Sequence, residues 1–262
     1  MTDPASKQKL LQEETAFADS QYARMLGDTR INSIVLKKYG CPRHMWDWRE
    51  RAGKLLGDVQ GKTLLDYGCG HGRDAAVFAV LGAKVTAIDI SAVGIQVGRQ
   101  RASAHRLDID FHVMSCVPTQ FPGGSFDIVF GSGILHHVGL REGLSEVYRL
   151  LAPGGVAVFL EPFGSSRVVE TTKLRLHATL GRRRRLTPVT SGEENLKLKD
   201  VRRETAHWAY RRIYPYHLTY RARKLLLPKM LWNWSRRTDY ALLTVLPPLQ
   251  HFAGAALIHV SK

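Results

Sequence analysis

Cysteine is scarce in this chain: Cys41, Cys69 and Cys116 are the only three in 262 residues. Their number is odd and no C-x-x-C spacing occurs, which argues against a disulfide framework and for a reduced, cytoplasmic setting. No metal ligand set is expected. The opening stretch Met1-Thr2-Asp3-Pro4-Ala5-Ser6-Lys7 carries no hydrophobic signal core, so export is not expected. No uninterrupted apolar run reaches the roughly 20 residues that span a bilayer, so a membrane span is not expected either.

Acid is also in short supply, and unevenly so. Lys and Arg number 38 against 23 Asp and Glu, a net charge of +15. Residues 161–262 hold 20 of those bases against 7 acids, leaving an excess of only +2 for the first 160 residues. A field of that sign favours an anionic partner: a phosphorylated or carboxylated substrate, an anionic lipid surface, or RNA. The bland alternative is a well-solvated basic surface.

The best-defined chemistry lies between Lys62 and Asp89. A short apolar run, Thr63-Leu64-Leu65, ends in Asp66 and breaks into Gly68-Cys69-Gly70-His71-Gly72. Helix-compatible residues from Asp74 to Leu81 stop at Gly82, placed as a glycine just past a helix end. Val85-Thr86-Ala87-Ile88 then ends in Asp89. This predicts strand, glycine turn, helix and strand, with a ligand site at the turn. Glycines admit close backbone approach, and the helix start offers unpaired N–H groups. An acid 19 positions after Gly70 suits the two hydroxyls of a ribose. A dinucleotide fingerprint wants glycine where Arg73 stands, and the Asp66 carboxylate would repel a pyrophosphate. The pattern therefore fits a nucleoside carrying positive charge, such as S-adenosyl-L-methionine.

Four stretches in order strengthen that reading. Leu64 to Gly72 and Val85 to Ser91 are followed by Phe121-Pro122-Gly123-Gly124-Ser125-Phe126-Asp127-Ile128-Val129 and by Leu150-Leu151-Ala152-Pro153-Gly154-Gly155. Together they resemble the motifs of class I S-adenosylmethionine-dependent methyltransferases over about Gly61 to Pro162. The resemblance implies an α/β fold: a Rossmann-like, seven-stranded, mostly parallel sheet with an antiparallel last strand and helices on both faces. It implies that Asp66 engages the amine of the cofactor, that Gly68, Cys69, Gly70 and Gly72 give backbone approach, and that Asp89 with Ile90 holds the ribose. Adenine contacts are implied at Ser115, Cys116 and Val117, with Gly131 beside them. The family usually places an acid where Ser115 stands, so adenine recognition here is expected to lean on backbone groups.

The acceptor side is read from loops at the carboxyl ends of later strands. His136 and His137 follow the fourth strand, where an imidazole can take a proton from a substrate hydroxyl; packing or orienting the loop is the alternative. Glu161, at the end of strand Val156 to Leu160, is read either as a base or as a carboxylate bonding nearby loop amides. Residues 1–60 are expected as a helical cover, with Tyr22 as a candidate lid residue and Trp46 and Trp48 as core anchors. Residues 163–200 read as an inserted basic lid in which Arg182 and Arg183 can clamp an anion; a solvated arginine run is the alternative. Residues 201–262 are expected to complete the sheet, with a sixth strand over His207 to Tyr214 and a last strand over Ala256 to Val260. Tyr220 to Trp234 mixes basic, aromatic and leucine residues, which suits either a peripheral membrane contact or closure of the substrate pocket.

The combined expectation is a methyltransferase acting on a small molecule or lipid, anionic in character, at oxygen. An RNA methyltransferase is the first alternative, although no appended RNA-binding module and no N-P-P-Y motif occurs, so nucleic acid is not the expected partner. A non-catalytic binding protein on the same fold is the second.

Overall fold

The computed structural model describes residues 4–163, 196–219 and 232–262. Three N-terminal helices come first: α1 (Pro4–Tyr22), α2 (Ser33–Gly40) and α3 (Trp48–Leu56). The alternating core follows as β1 (Thr63–Tyr67), α4 (Arg73–Val80), β2 (Lys84–Asp89), α5 (Ala92–Ala104), β3 (Ile109–Val113) and β4 (Phe126–Ser132). Then come α6 (Leu135–Val138), α7 (Leu140–Leu150), β5 (Leu151–Pro162), α8 (Leu198–Glu204), β6 (Tyr210–Tyr216), α9 (Trp232–Val245) and β7 (Ala255–Ser261). Among the described residues no helix is long and apolar enough to cross a membrane.

The seven strands form one sheet in the order β3-β2-β1-β4-β5-β7-β6. All pairs from β3 to β5 are parallel, and β7 runs antiparallel to both β5 and β6. This is the architecture the sequence predicts. Strand order reverses between β1 and β4, so a crevice opens there at the carboxyl ends.

Alternation along each strand divides the core into two layers. Leu64 of β1 joins Val77, Phe78, Val85, Ile95 and Phe130 on one face. Leu65 and Tyr67 join Val129, Phe159 and the α7 residues Leu144, Val147 and Leu150 on the other. Burial on both faces explains why β1 and β4 are nearly continuous apolar runs. Ser91 caps α5 by accepting from Gly94 N at 2.9 Å, as its position predicts.

Helix α2 is signalled by Asn32, whose side chain accepts from Ile34 N and Val35 N at 3.0 and 3.2 Å. Two local expectations shift. Trp48 is buried, but Trp46 is only half-buried against His44 and Arg237. The sixth strand starts at Tyr210 rather than His207, because Trp208 turns inward onto Tyr148. It also continues through Pro215, which an edge strand tolerates because one side of its ladder has no partner.

Candidate active site

Three buried carboxylates sit at the carboxyl end of the sheet, and they differ in how their oxygens are used. Asp66 on β1 is 2% exposed, and its Oδ2 has no hydrogen-bond donor among the described residues. Burial, followed by the neighbouring Asp74 carboxylate, raises its pKa well above the ordinary aspartate range. Asp89 closes β2 and receives Gly70 N at 2.8 Å on Oδ2 and Ser91 N at 2.9 Å on Oδ1. Its pKa is also raised, chiefly by burial. Glu161 on β5 is fully buried and saturated: Oε1 accepts from Ile134 N and Leu135 N, each at 2.9 Å, while Oε2 lies 2.8 Å from His136 Nδ1.

The glycine turn between β1 and α4 is pinned by Cys69 N donating to Ile88 O at 2.8 Å. Gly68, Gly70 and Gly72 all adopt positive φ, a conformation that disfavours any side chain. Their surroundings separate their roles. A Cβ on Gly68 would strike Ile134, and one on Gly70 would come within 2.5 Å of Tyr22 Oη. A Cβ on Gly72 would instead meet Phe111 and lie 3.0 Å from Gly98 Cα, so Gly72 packs the turn against α5 and β3.

A cavity of about 190 Å³ opens beside this turn. Gly68, Asp89, Ile90, Ser115 and Cys116 form one side; Ser132, Gly133, Ile134, His137 and Val138 form another. Helix α1 roofs it with Leu11, Glu14, Phe17, Ala18, Gln21 and Tyr22. The roof is fastened by Asp19, which accepts from Ser91 Oγ and, at 3.3 Å, from Val93 N. Tyr22 therefore lies against the glycine turn; burial first, then the charges of Asp89 and Asp66 among others, raises its phenol pKa.

Ser115 and its neighbours are held in a tight local arrangement. Ser115 Oγ accepts from Val117 N at 3.1 Å and donates to Val117 O at 2.9 Å. Tyr67 Oη donates to Cys116 O at 2.6 Å, tying this loop to β1. Gly131 is buried where a Cβ would collide with Phe159. His137 lines the cavity with its Nδ1 3.7 Å from Glu14 Oε1. The rings of His136 and His137 lie 4.1 Å apart. Arg182, Arg183 and most of the basic lid lie outside the described residues, as does most of Tyr220 to Trp234.

Several supporting residues were not singled out from sequence. Asp19 and Glu14 look like ordinary helix-surface acids, and only the docking of α1 gives them partners. Arg101 is the largest fully buried side chain, and its guanidinium reaches the backbone carbonyls of Asp28, Arg30 and His71. It braces the glycine turn against the segment leading into α2, a role no local motif encodes.

The arrangement suits a cationic nucleoside. Asp66 offers a buried oxygen with no donor among the described residues, the glycine turn admits close approach, and Asp89 stands at the carboxyl end of the next strand. The fold and this site define a class I methyltransferase architecture. Residues 64–155 match the model of a family described as "Methyltransferase domain". The demethylmenaquinone methyltransferase of Thermus thermophilus is 33% identical over 117 residues, covering 44% of this chain and 53% of that protein. The ubiquinone biosynthesis O-methyltransferase of Nitrosococcus oceani is 30% identical over 174 residues, covering 60% of this chain and 71% of that protein. In several other curated relatives the match spans about half of their length or less. Among solved structures, geranyl diphosphate C-methyltransferase from Streptomyces coelicolor A3(2), in complex with Mg2+, geranyl diphosphate and S-adenosyl-L-homocysteine, superposes with a TM-score of 0.55. Its identity is 20%, with 81% of this chain and 77% of that one covered. The chain belongs to the S-adenosylmethionine-dependent methyltransferases.

Proposed function

We propose that this enzyme methylates a hydroxyl oxygen on a small, largely apolar acceptor of the hydroquinone or catechol class, with a lipid tail or an anionic group. The observation that carries the reading is the Glu161–His136 pair. Glu161 Oε2 at 2.8 Å from His136 Nδ1 holds that nitrogen in its N–H form, which leaves Nε2 as the acceptor. An imidazole fixed in this tautomer can take the proton from a hydroxyl as its oxygen attacks. Two relatives named for quinone biosynthesis support the acceptor class, one of them named as an O-methyltransferase. The net charge of +15 supports an anionic group on the acceptor or an anionic surface nearby.

S-adenosylmethionine supplies an electrophilic methyl group on a sulfonium. The chain's own residues bind, orient and exclude water. In this reading Asp66 takes the cofactor's ammonium and Asp89 its ribose, with Ile90 beside it. Gly68, Cys69 and Gly70 give backbone approach, and Ser115, Cys116 and Val117 flank the base. Helix α1, with Tyr22, covers the cavity, so that alignment rather than strong general catalysis supplies much of the rate. Glu161 is an orienting residue here, since all its near contacts are internal.

Calorimetry with S-adenosylhomocysteine followed by turnover of a panel of short-prenyl hydroquinones and catechols tests the reading. Wild type binds the product and O-methylates a panel member, with the new methyl located by mass spectrometry and NMR. Absence of S-adenosylhomocysteine binding sinks the whole assignment, and a carbon-linked methyl overturns the choice of oxygen.

A further inference from the structure

A second cavity, of about 320 Å³, adjoins the first, and both are lined by Ser132 and Gly133. Leu160, Pro162 and Ala255 give it apolar walls; Glu161 and His217 are its ionisable residues. His217 follows directly after β6 and adopts φ +66, one of two non-glycine residues with positive φ among those described. That conformation is strained for a residue with a Cβ and survives only where neighbours over-determine it.

The neighbours do so here. Gly254 N donates to both Tyr216 O and His217 O, at 3.1 and 3.2 Å. A Cβ on Gly254 would stand 3.0 Å from His217 O, so a side chain there would crowd the strained residue. Two residues on, Thr219 N and Oγ both donate to buried Asp239, at 3.0 and 2.7 Å to Oδ1. The backbone around His217 is thus clamped from both sides. Glycine would adopt this backbone with less strain, and the residue held there instead is a histidine that lines an apolar cavity.

We propose that His217 is an acceptor-binding residue: its imidazole hydrogen-bonds the polar group of an otherwise apolar acceptor seated in the 320 Å³ cavity. This rests on the methyltransferase reading above. The residue is retained for binding at a cost in backbone strain, a trade found at functional sites.

The test compares His217→Gly, His217→Ala and His217→Asn in the full chain. Both Gly and Ala remove the imidazole, but only Gly relaxes the backbone. His217→Gly is therefore expected to melt above His217→Ala by about 2 °C. Both variants should raise KM for the hydroquinone or catechol probe by roughly tenfold, the value of one lost hydrogen bond, with the dissociation constant for S-adenosylhomocysteine unchanged. His217→Asn, which tolerates positive φ and keeps hydrogen-bonding groups, should recover part of that loss. A KM for His217→Gly within twofold of wild type overturns the inference. So does a parallel loss of S-adenosylhomocysteine affinity, which marks a structural residue. If wild type carrying S-adenosylhomocysteine shows no further thermal stabilisation by any panel probe, the inference falls while the cofactor reading stands. Failure of wild type to bind S-adenosylhomocysteine brings down the underlying reading instead.

Discussion

The two halves of the sheet's carboxyl edge handle buried acid in opposite ways. On the β1–β2 side, Asp66 keeps an oxygen without a donor among the described residues, and burial raises the pKa of both Asp66 and Asp89. On the β5 side, Glu161 is equally buried, yet Ile134 N, Leu135 N and His136 Nδ1 occupy both its oxygens. A buried acid with spare capacity is a place prepared for a ligand, because leaving it unmatched costs free energy. A saturated one holds its neighbours still. The β1–β2 side thus keeps capacity for a charge from outside, and the β5 side is internally complete, with Glu161 bracing the loop that carries His136.

Asp89→Ala probes the cofactor side most severely. It removes the acceptor for Gly70 N and Ser91 N along with the charge next to the glycine turn. Affinity for S-adenosylhomocysteine is expected to fall on the order of 10²–10³-fold by calorimetry. If affinity is retained, the comparison breaks at its firmest point.

Glu161→Gln probes the other side. The amide keeps an oxygen for Ile134 N and Leu135 N but sets an N–H₂ against the donor on His136 Nδ1. Stability should drop by about 2–3 kcal/mol, read from chemical denaturation, because a buried donor loses its acceptor. In the proposed mechanism kcat falls on the order of 100-fold as the imidazole loses its fixed tautomer. Cofactor affinity should stay within about twofold, since no described hydrogen bond links Glu161 to the glycine turn. A large loss of cofactor affinity would show that the two sides are one network.

Much of this contrast was legible in the sequence on one side and little on the other. The glycine turn and its two acids are local features, each placed by the strand before it, so spacing alone located them. The Glu161–His136 pair joins residues 25 apart through parallel strands, and sequence left both residues with two readings each. Ser115 stands where the family usually places an acid, and only the folded loop shows that its hydroxyl bonds Val117, two residues away. The seat of α1 over the cavity was hidden for another reason: Asp19 fastens it through residues more than 70 positions distant. Local chemistry survives in sequence, whereas contacts made by docking one element on another do not.

Asp66→Asn sharpens the comparison because stability and binding should move in opposite directions. In the folded chain the Asp66 pKa is raised, so its proton is held more tightly folded than unfolded. The stability it contributes is present at low pH and is lost as pH rises through the raised value. A neutral amide removes that loss, so the melting temperature near neutral pH should hold or rise. Cofactor affinity should nevertheless fall roughly tenfold. Wild-type affinity should also weaken as pH falls through a window above the ordinary aspartate value, since in the proposed arrangement protonation removes the partner for the ammonium. In Asp66→Asn the part of that pH dependence due to Asp66 should vanish.

The smallest expected effect comes from His71, within the glycine turn itself. Burial, followed by the Arg101 and Arg73 charges, lowers its pKa from 6.5 to about 4. The folded chain therefore holds this imidazole neutral where the unfolded chain would protonate it. Above pH 6.5 both states are neutral and nothing is lost; as pH falls from 6.5 towards 4 the unfolded state takes up the extra proton and stability declines. Because His71 is only partly buried, solvent screening keeps the change modest, a shift of about 2–4 °C in melting temperature across that interval. His71→Asn should flatten this part of the profile and leave the acid limb due to the carboxylates in place. If the variant instead retains the full decline, the cationic side chains bracing the turn, Arg73 and Arg101, are not what set its pH response, and the charge preparation of this edge rests on Asp66 and Asp89 alone.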